Sequence, residues 1–334
     1  MQVYPLVFDP IFKPKIWGGR RLAAHLGKRL PDGELIGESW ELSDLPGHES
    51  VVREGPCRGQ SLRRLVDAWG DGLLGAASPV DGRFPLLIKF LDASCDLSVQ
   101  VHPPEFVAAR EPGAAVKDEA WYVVMAEPGA AIYRGLNPGV TRAQLVETLR
   151  TGEVAPLLRR IPVRAGDCCY LPSGTVHALG AGVLVAEVQT PSDTTYRLFD
   201  WNRIDESTGA PRALHVEQAL RCIDFETRSP DEMQRAHAAD MWTTVTRLVA
   251  CPRFVIEKVR MIEGAEQRLP AGGMAIWMLL SGEVEVIHGR DADSLRLRPG
   301  DVALLPAALQ DARVRVCRPA VWLDISIPGS RRLP

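Results

Sequence analysis

Long apolar runs are missing from this sequence: none approaches the roughly 20 residues that a membrane-spanning helix requires, so no such helix is expected. An excess of positive charge is missing too. Lys and Arg number 39 against 42 Asp and Glu, giving a net charge of -3 and a pI near 6.2. No broad basic field is available to condense on nucleic acid or anionic lipid, which points away from nucleic-acid and membrane partners and toward a small molecule. Residues 1–10 show no basic stretch leading into an apolar segment, and Asp9 and Pro10 interrupt the region a signal sequence would occupy. A cytoplasmic location is the expectation. Cysteine is sparse and unpatterned, at 57, 95, 168, 169, 222, 251 and 317. An odd set without short paired spacing does not build a sulfur zinc site. These residues read as reduced, mostly buried small side chains. Cys168 and Cys169 are adjacent, and on a strand they face opposite sides, which argues against a bridge between them.

The 334 residues suffice for two domains, and 46% hydrophobic with 24% charged residues is the balance of a folded globular chain. Proline (26) and glycine (29) punctuate the whole length and leave only short apolar runs between them. That pattern predicts a mainly β fold of barrel or sandwich type. Predicted strands cover 84–91, 97–101, 120–125, 167–171, 183–189, 254–261, 274–280, 283–288 and 302–305. Helices are few. Ser61 can cap a segment whose Leu62, Leu65, Val66 and Trp69 share a face and which Gly70 and Gly72 end; Thr141 and Gln144 form a capping-box pattern before Leu145, Val146 and Leu149. Both read as additions covering a β framework. The polar stretch 224–239 is the predicted boundary, dividing the chain into 1–235 and 236–334.

A weak internal repeat links the two parts. Gly166-Asp167, Pro172 and His177 recur at the same spacing as Gly300-Asp301, Pro306 and Asp311. Gly-Asp turns into a strand, Pro ends it, and a side chain five residues later can point inward. The first copy offers an imidazole there and the second an aspartate. The second unit is therefore expected to hold no metal and to play a structural role.

The chemistry gathers in the first unit. Gln100 and His102 are two apart, so on an extended strand both project from one face and can grip the same ion. Glu119 precedes an apolar strand and His177 follows the Gly-Asp turn, so a carboxylate and two imidazoles can converge from three strands. Nitrogen and oxygen ligands suit one zinc ion per chain, with iron, manganese, cobalt and nickel open on ligand type alone. His25, His48, His215, His237 and His288 lack such companions and read as ordinary structural or surface residues.

At this point the sequence resembles the type I mannose-6-phosphate isomerases, in their short bacterial form. The resemblance rests on Ile16-Trp17-Gly18-Gly19, Gly37-Glu38-Ser39-Trp40, residues 85–89 and 97–103, the Gly166 to His177 segment, and Ser192-Asp193-Thr194-Thr195-Tyr196-Arg197-Leu198-Phe199-Asp200. It implies two cupin (jelly-roll) β-barrels with helices inserted in the N-terminal part, and zinc held by Gln100, His102, Glu119 and His177. It also implies interconversion of mannose 6-phosphate and fructose 6-phosphate. Val116-Lys117-Asp118-Glu119-Ala120 departs from the family's usual Gly-Lys-Thr-Glu-Cys, keeping the lysine and glutamate.

Moving a carbonyl between C1 and C2 means passing a proton through an enediolate whose charge must be stabilised. Arg197, permanently charged and fork-shaped, is the candidate for that charge. Asp193 and Lys117 are the candidates for moving the proton. By resemblance, Lys89 and Ser98 are the candidates for the phosphate. Trp17 and Trp40 read as core aromatics. Two other readings use the same residues: a cupin dioxygenase with redox-active iron, and a sugar-phosphate-binding module without turnover. A monomer or weak homo-oligomer is expected.

Overall fold

The computed structural model describes residues 3–205, 208–225, 237–289 and 293–329. It is mainly β, with the two expected cupin-type barrels, and all of its α-helices among the described residues precede residue 225. The first barrel is built from two facing sheets. One has six strands in the order Cys168–Leu171, Glu119–Ala126, Val183–Gln189, Leu87–Ala93, Ile36–Leu42 and Ile11–Gly19. The other has five, in the order Leu158–Pro162, Ala131–Leu136, His177–Leu179, Val99–Val101 and Tyr196–Phe199. Alternation along each strand sends one set of side chains inward. Leu91, Trp121, Val123 and Val185 from the first sheet meet Ile132 and Leu179 from the second and fill the floor of this barrel.

The other face of the six-stranded sheet is equally apolar. Phe90, Ala120, Tyr122, Leu184 and Val188 pack there with Ile276, Met278, Leu304, Leu323 and Ile325 of the C-terminal barrel. The barrels thus stand back to back over a shared core, and each fully buried Leu or Ile in it contributes roughly 1.5–3 kcal/mol. The five-stranded sheet is covered on its outer side by Leu145 of helix Arg142–Thr151 and by Ala219 and Leu220 of helix Val216–Cys222. Both helix starts read from the sequence are present. Arg64 N donates to Ser61 Oγ at 3.3 Å, and Gln144 N donates to Thr141 Oγ1 at 3.2 Å while Thr141 N donates to Gln144 Oε1 at 2.8 Å.

The repeat is structural. Gly166 and Gly300 both lie at positive φ, 95° and 87°. Gly166 N donates to Val123 O and Gly300 N to Leu279 O, both at 2.8 Å. Asp167 accepts from Arg164 N at 3.0 Å, and Asp301 accepts from Arg298 N at 2.9 Å. The copies part at the final position: His177 is buried, whereas Asp311 sits exposed at a φ of 51°.

Some expectations change. Residues 274–280 and 283–288 form a single strand, Ala275–His288, because bulges around Ser281 and Glu283 absorb the break instead of a turn. Strands at Ile11–Gly19, Ile36–Leu42, Ala131–Leu136, Leu158–Pro162, Thr243–Ala250 and Arg313–Ser326 join those expected. The boundary near residue 235 lies outside the described residues. Strand Leu6–Val7 pairs with Val302–Leu305, so the first strand of the N-terminal part completes the C-terminal sheet. All seven cysteines are free, yet only Cys57, Cys222 and Cys251 are buried and Cys95 is exposed, while Cys168, Cys169 and Cys317 lie half-buried on strands. No helix among the described residues is long and apolar enough to cross a membrane.

Candidate metal centre

Strand Val99–Val101 pairs with His177–Leu179 so that Gln100 stands opposite His177. Directly opposed residues share a face, and His102 keeps that direction two residues on. Glu119 opens a strand of the facing sheet, opposite Leu171. The result is a buried cluster in which ligand atoms of His102, Glu119 and His177 all lie within 4.8 Å of one another. Gln100 is partly buried and reaches the same face through its register with His177.

The hydrogen bonds fix what this cluster can do. His102 Nδ1 lies 3.0 Å from Thr194 O, and His177 Nδ1 lies 2.8 Å from Thr175 O. Geometry therefore assigns the ring protons to Nδ1, where they donate to these carbonyls. Both Nε2 lone pairs then face the Glu119 carboxylate, at 3.2 Å from Oε1 and 3.4 Å from Oε2. Burial, assisted by the charge of Lys117, pushes His102 down to about 3, so the ring is neutral at pH 7. Burial raises the Glu119 carboxyl, but Lys117 and His102 outweigh it and hold the group well below the usual carboxylate range. Lys117 Nζ is 2.7 Å from Glu119 Oε1. His102 Nε2, His177 Nε2 and Glu119 Oε2 are left without hydrogen-bond partners. Buried acceptors aimed at one another are costly unless a cation sits between them. The nitrogen and oxygen donor set thus fits a divalent first-row metal.

Beside the cluster runs a ladder of buried charges. Lys89 Nζ lies 3.2 Å from Glu187 Oε2 and 3.7 Å from Glu38 Oε2. Trp121 Nε1 donates to Glu187 at 2.8 Å, and Trp40 Nε1 donates to Glu38 at 2.7 Å. Lys89 also lies over the Trp40 ring, 4.9 Å from its centroid. Burial works against the charged form of Lys89, yet Glu187 and Glu38 raise its pKa overall. Burial raises the Glu38 carboxyl, and Lys89 with Lys15 brings it down to about 2. Glu187 is pushed up, by burial and by the charge of Glu119.

The remaining expected residues are placed less uniformly. Lys117 is buried against the cluster. Ser98 is buried just before its strand. Asp193 is exposed at the rim, where its charge acts on Lys89 and Lys13. Arg197 stands opposite Gln100, donates through Nη1 to Ala213 O at 2.7 Å, and has its backbone N bonded to His215 Nδ1 at 3.2 Å. Close by, Arg203 and Arg212 both donate to Asp200, each at 2.6 Å. Trp17 belongs to the barrel core, as read. Glu38, Glu187, Arg203 and Arg212 were not singled out from sequence. Two of them do occupy segments that were: Glu38 is in a motif carrying the resemblance, and Glu187 is in a predicted strand, on the same parity as Val183 and Val185.

Comparisons with known proteins bear on the family of the chain. Residues 6–125 match the family model described as phosphomannose isomerase type I, catalytic domain. The mannose-6-phosphate isomerase of Streptococcus mutans is 35% identical over 92% of this chain and 93% of its own length. Mannose-6-phosphate isomerase ManA of Bacillus subtilis is 37% identical over 94% and 96%. The crystal structure of the Bacillus subtilis mannose 6-phosphate isomerase superposes with a TM-score of 0.88 at 31% identity, covering 97% of this chain and 99% of that one. With a matching catalytic-domain model, near full-length relatives and the same barrels, this chain belongs to the type I phosphomannose isomerase family, whose members are aldose-ketose isomerases.

Proposed function

We propose that the protein interconverts mannose 6-phosphate and fructose 6-phosphate, with one zinc ion held by Gln100, His102, Glu119 and His177. The observation that carries this reading is the trio of orphaned acceptors, His102 Nε2, His177 Nε2 and Glu119 Oε2, buried and convergent in a chain of this family. When bound, zinc supplies Lewis acidity toward the sugar oxygens. The protein's own groups do the rest. Lys117, desolvated beside Glu119, and Asp193, at the rim, are the two groups placed to exchange the proton between C2 and C1. Arg197 faces the same interior as Gln100 and stabilises the charge of the enediolate. Lys89 and Ser98 face the phosphate by resemblance, although Lys89 already neutralises Glu187 and Glu38. The partner is a small sugar phosphate, and the burial of His102, Glu119 and His177 strengthens the charge interactions among them.

Protein stripped with chelator is expected to lose conversion of mannose 6-phosphate and regain it with zinc, and His102→Ala is expected to stay inactive and metal-poor through the same cycle. Full turnover in the stripped protein rejects the mechanism, and normal metal content in His102→Ala rejects the site. Oxygen consumption with ferrous iron would favour the dioxygenase reading instead, and tight sugar-phosphate binding without conversion would favour the binding module.

A further inference from the structure

We infer that Arg134 is a further residue that grips the phosphate of the bound sugar, in addition to Lys89 and Ser98, an assignment that rests on the isomerase reading above. Arg134 lies on strand Ala131–Leu136, directly opposite His177. In this sheet Arg134, His177, Gln100 and Arg197 stand side by side on four neighbouring strands, each opposed to the next. Strands are about 5 Å apart, so Arg134 is one strand from a metal ligand and on the opposite flank from Arg197. Its direction is set by parity, because Ile132, two residues earlier, packs into the barrel interior. It also lies within electrostatic reach of Cys169, which faces the same interior from strand Cys168–Leu171.

What separates Arg134 from the other cations of the site is that it has neither a hydrogen bond nor an ion pair among the described residues. Lys117 is bound to Glu119, Lys89 to Glu187 and Glu38, Lys15 to Glu38, and Arg203 and Arg212 to Asp200. Arg197 donates to a backbone carbonyl. Arg134 Nε is buried and has no partner among the described residues. A guanidinium presents a planar fork of donors suited to two phosphate oxygens at once. A hexose phosphate whose reacting carbons lie at the metal carries its dianion several bonds away. An unanswered fork one strand to the side of His177 is placed to receive it. The phosphate in turn satisfies a donor that the fold leaves open.

The test uses the zinc-loaded protein with Arg134→Gln and Arg134→Lys. In Arg134→Gln the KM for mannose 6-phosphate is expected to rise about tenfold or more, with kcat changed less than about threefold, because a charged hydrogen bond to a bound group is lost. Competitive inhibition by inorganic phosphate is expected to weaken by a similar factor, and Arg134→Lys is expected to recover part of both losses. Metal content and melting temperature of the two variants establish that they fold. Unchanged KM and unchanged phosphate inhibition overturn the assignment. So does a fall in kcat at constant KM, which would move Arg134 to the reacting carbons. If the wild-type protein fails to isomerise mannose 6-phosphate, the isomerase reading falls on its own; calorimetric titration with inorganic phosphate then still decides whether Arg134 binds this anion.

Discussion

Trp121 in the first barrel and Trp277 in the second hold equivalent places. Trp121 is paired across its strands with Cys169 and Glu187; Trp277 is paired with Ala303 and Asp324. Each indole donates to its carboxylate, Trp121 to Glu187 at 2.8 Å and Trp277 to Asp324 at 3.0 Å. Two residues before the tryptophan the barrels part. Glu119, opposite Leu171, corresponds by register to Ala275, opposite Leu305. Lys89, opposite Glu187, corresponds to Glu257, opposite Asp324, and Glu257 is neutralised by Arg247 at 2.9 Å. His177 corresponds to the exposed Asp311. The shared architecture therefore keeps an indole-carboxylate bond in each barrel. The barrels differ at a few positions at one mouth, where His102, Glu119 and His177 of the first could hold a metal ion.

Converting the first barrel to the second at a single position gives the largest expected effect. Glu119→Ala places the residue of position 275 in the metal cluster; metal content should fall to background and turnover should vanish with it, read by elemental analysis and a coupled assay. Retained metal would show that the carboxylate is dispensable. Acid should separate the barrels next. Glu38 is held at about 2 from an ordinary 4.5, a depressed value, so its stabilisation is complete above about pH 4.5 and fades as pH falls toward 2. At most it amounts to about 3 kcal/mol. The melting difference between wild type and Glu38→Gln should shrink between pH 7 and pH 3; a constant difference would reject the link.

Smaller effects test the shared feature. Trp121→Phe and Trp277→Phe each remove one donor from a buried carboxylate and should each cost about 1–3 kcal/mol in chemical denaturation. Only Trp121→Phe should also lower kcat/KM, because Glu187 pairs with Lys89 beside the metal cluster. An equal loss of activity in both variants would erase the distinction between barrels. Asp311→Asn, which tolerates the positive φ at this position, should change stability by less than about 0.5 kcal/mol, as an exposed substitution does, and should leave activity untouched. A larger change would give the second copy of the repeat a role that its exposure denies.

Much of this was legible in the sequence for physical reasons. Val183–Gln189 was read to its ends because a fully buried strand is an unbroken apolar run, and its one glutamate was overlooked for that same reason. Ile11–Gly19 was missed because Pro14 and two glycines interrupt it; it is an edge strand with register shifts around Pro14, where a missing N–H does no harm. Leu158–Pro162, with exposed Arg159 and Arg160, is the edge of the other sheet. At the candidate metal centre, period-two spacing predicts that Gln100 and His102 share a face. Spacing along one strand says nothing about which strands become neighbours, so the row from Arg134 to Arg197 emerges only once the five-stranded sheet is assembled.

The pairing of Leu6 with Leu304 and Val7 with Ala303 has a consequence for how the molecule is made. A ribosome releases Leu6 and Val7 long before Ala303 and Leu304, so the C-terminal sheet cannot close until the strand Val302–Leu305 has emerged. Contacts this distant in sequence are slow to form. Until they do, the nascent protein exposes an unpaired strand edge, and a bulky fusion placed just before Leu6 should lengthen that vulnerable interval.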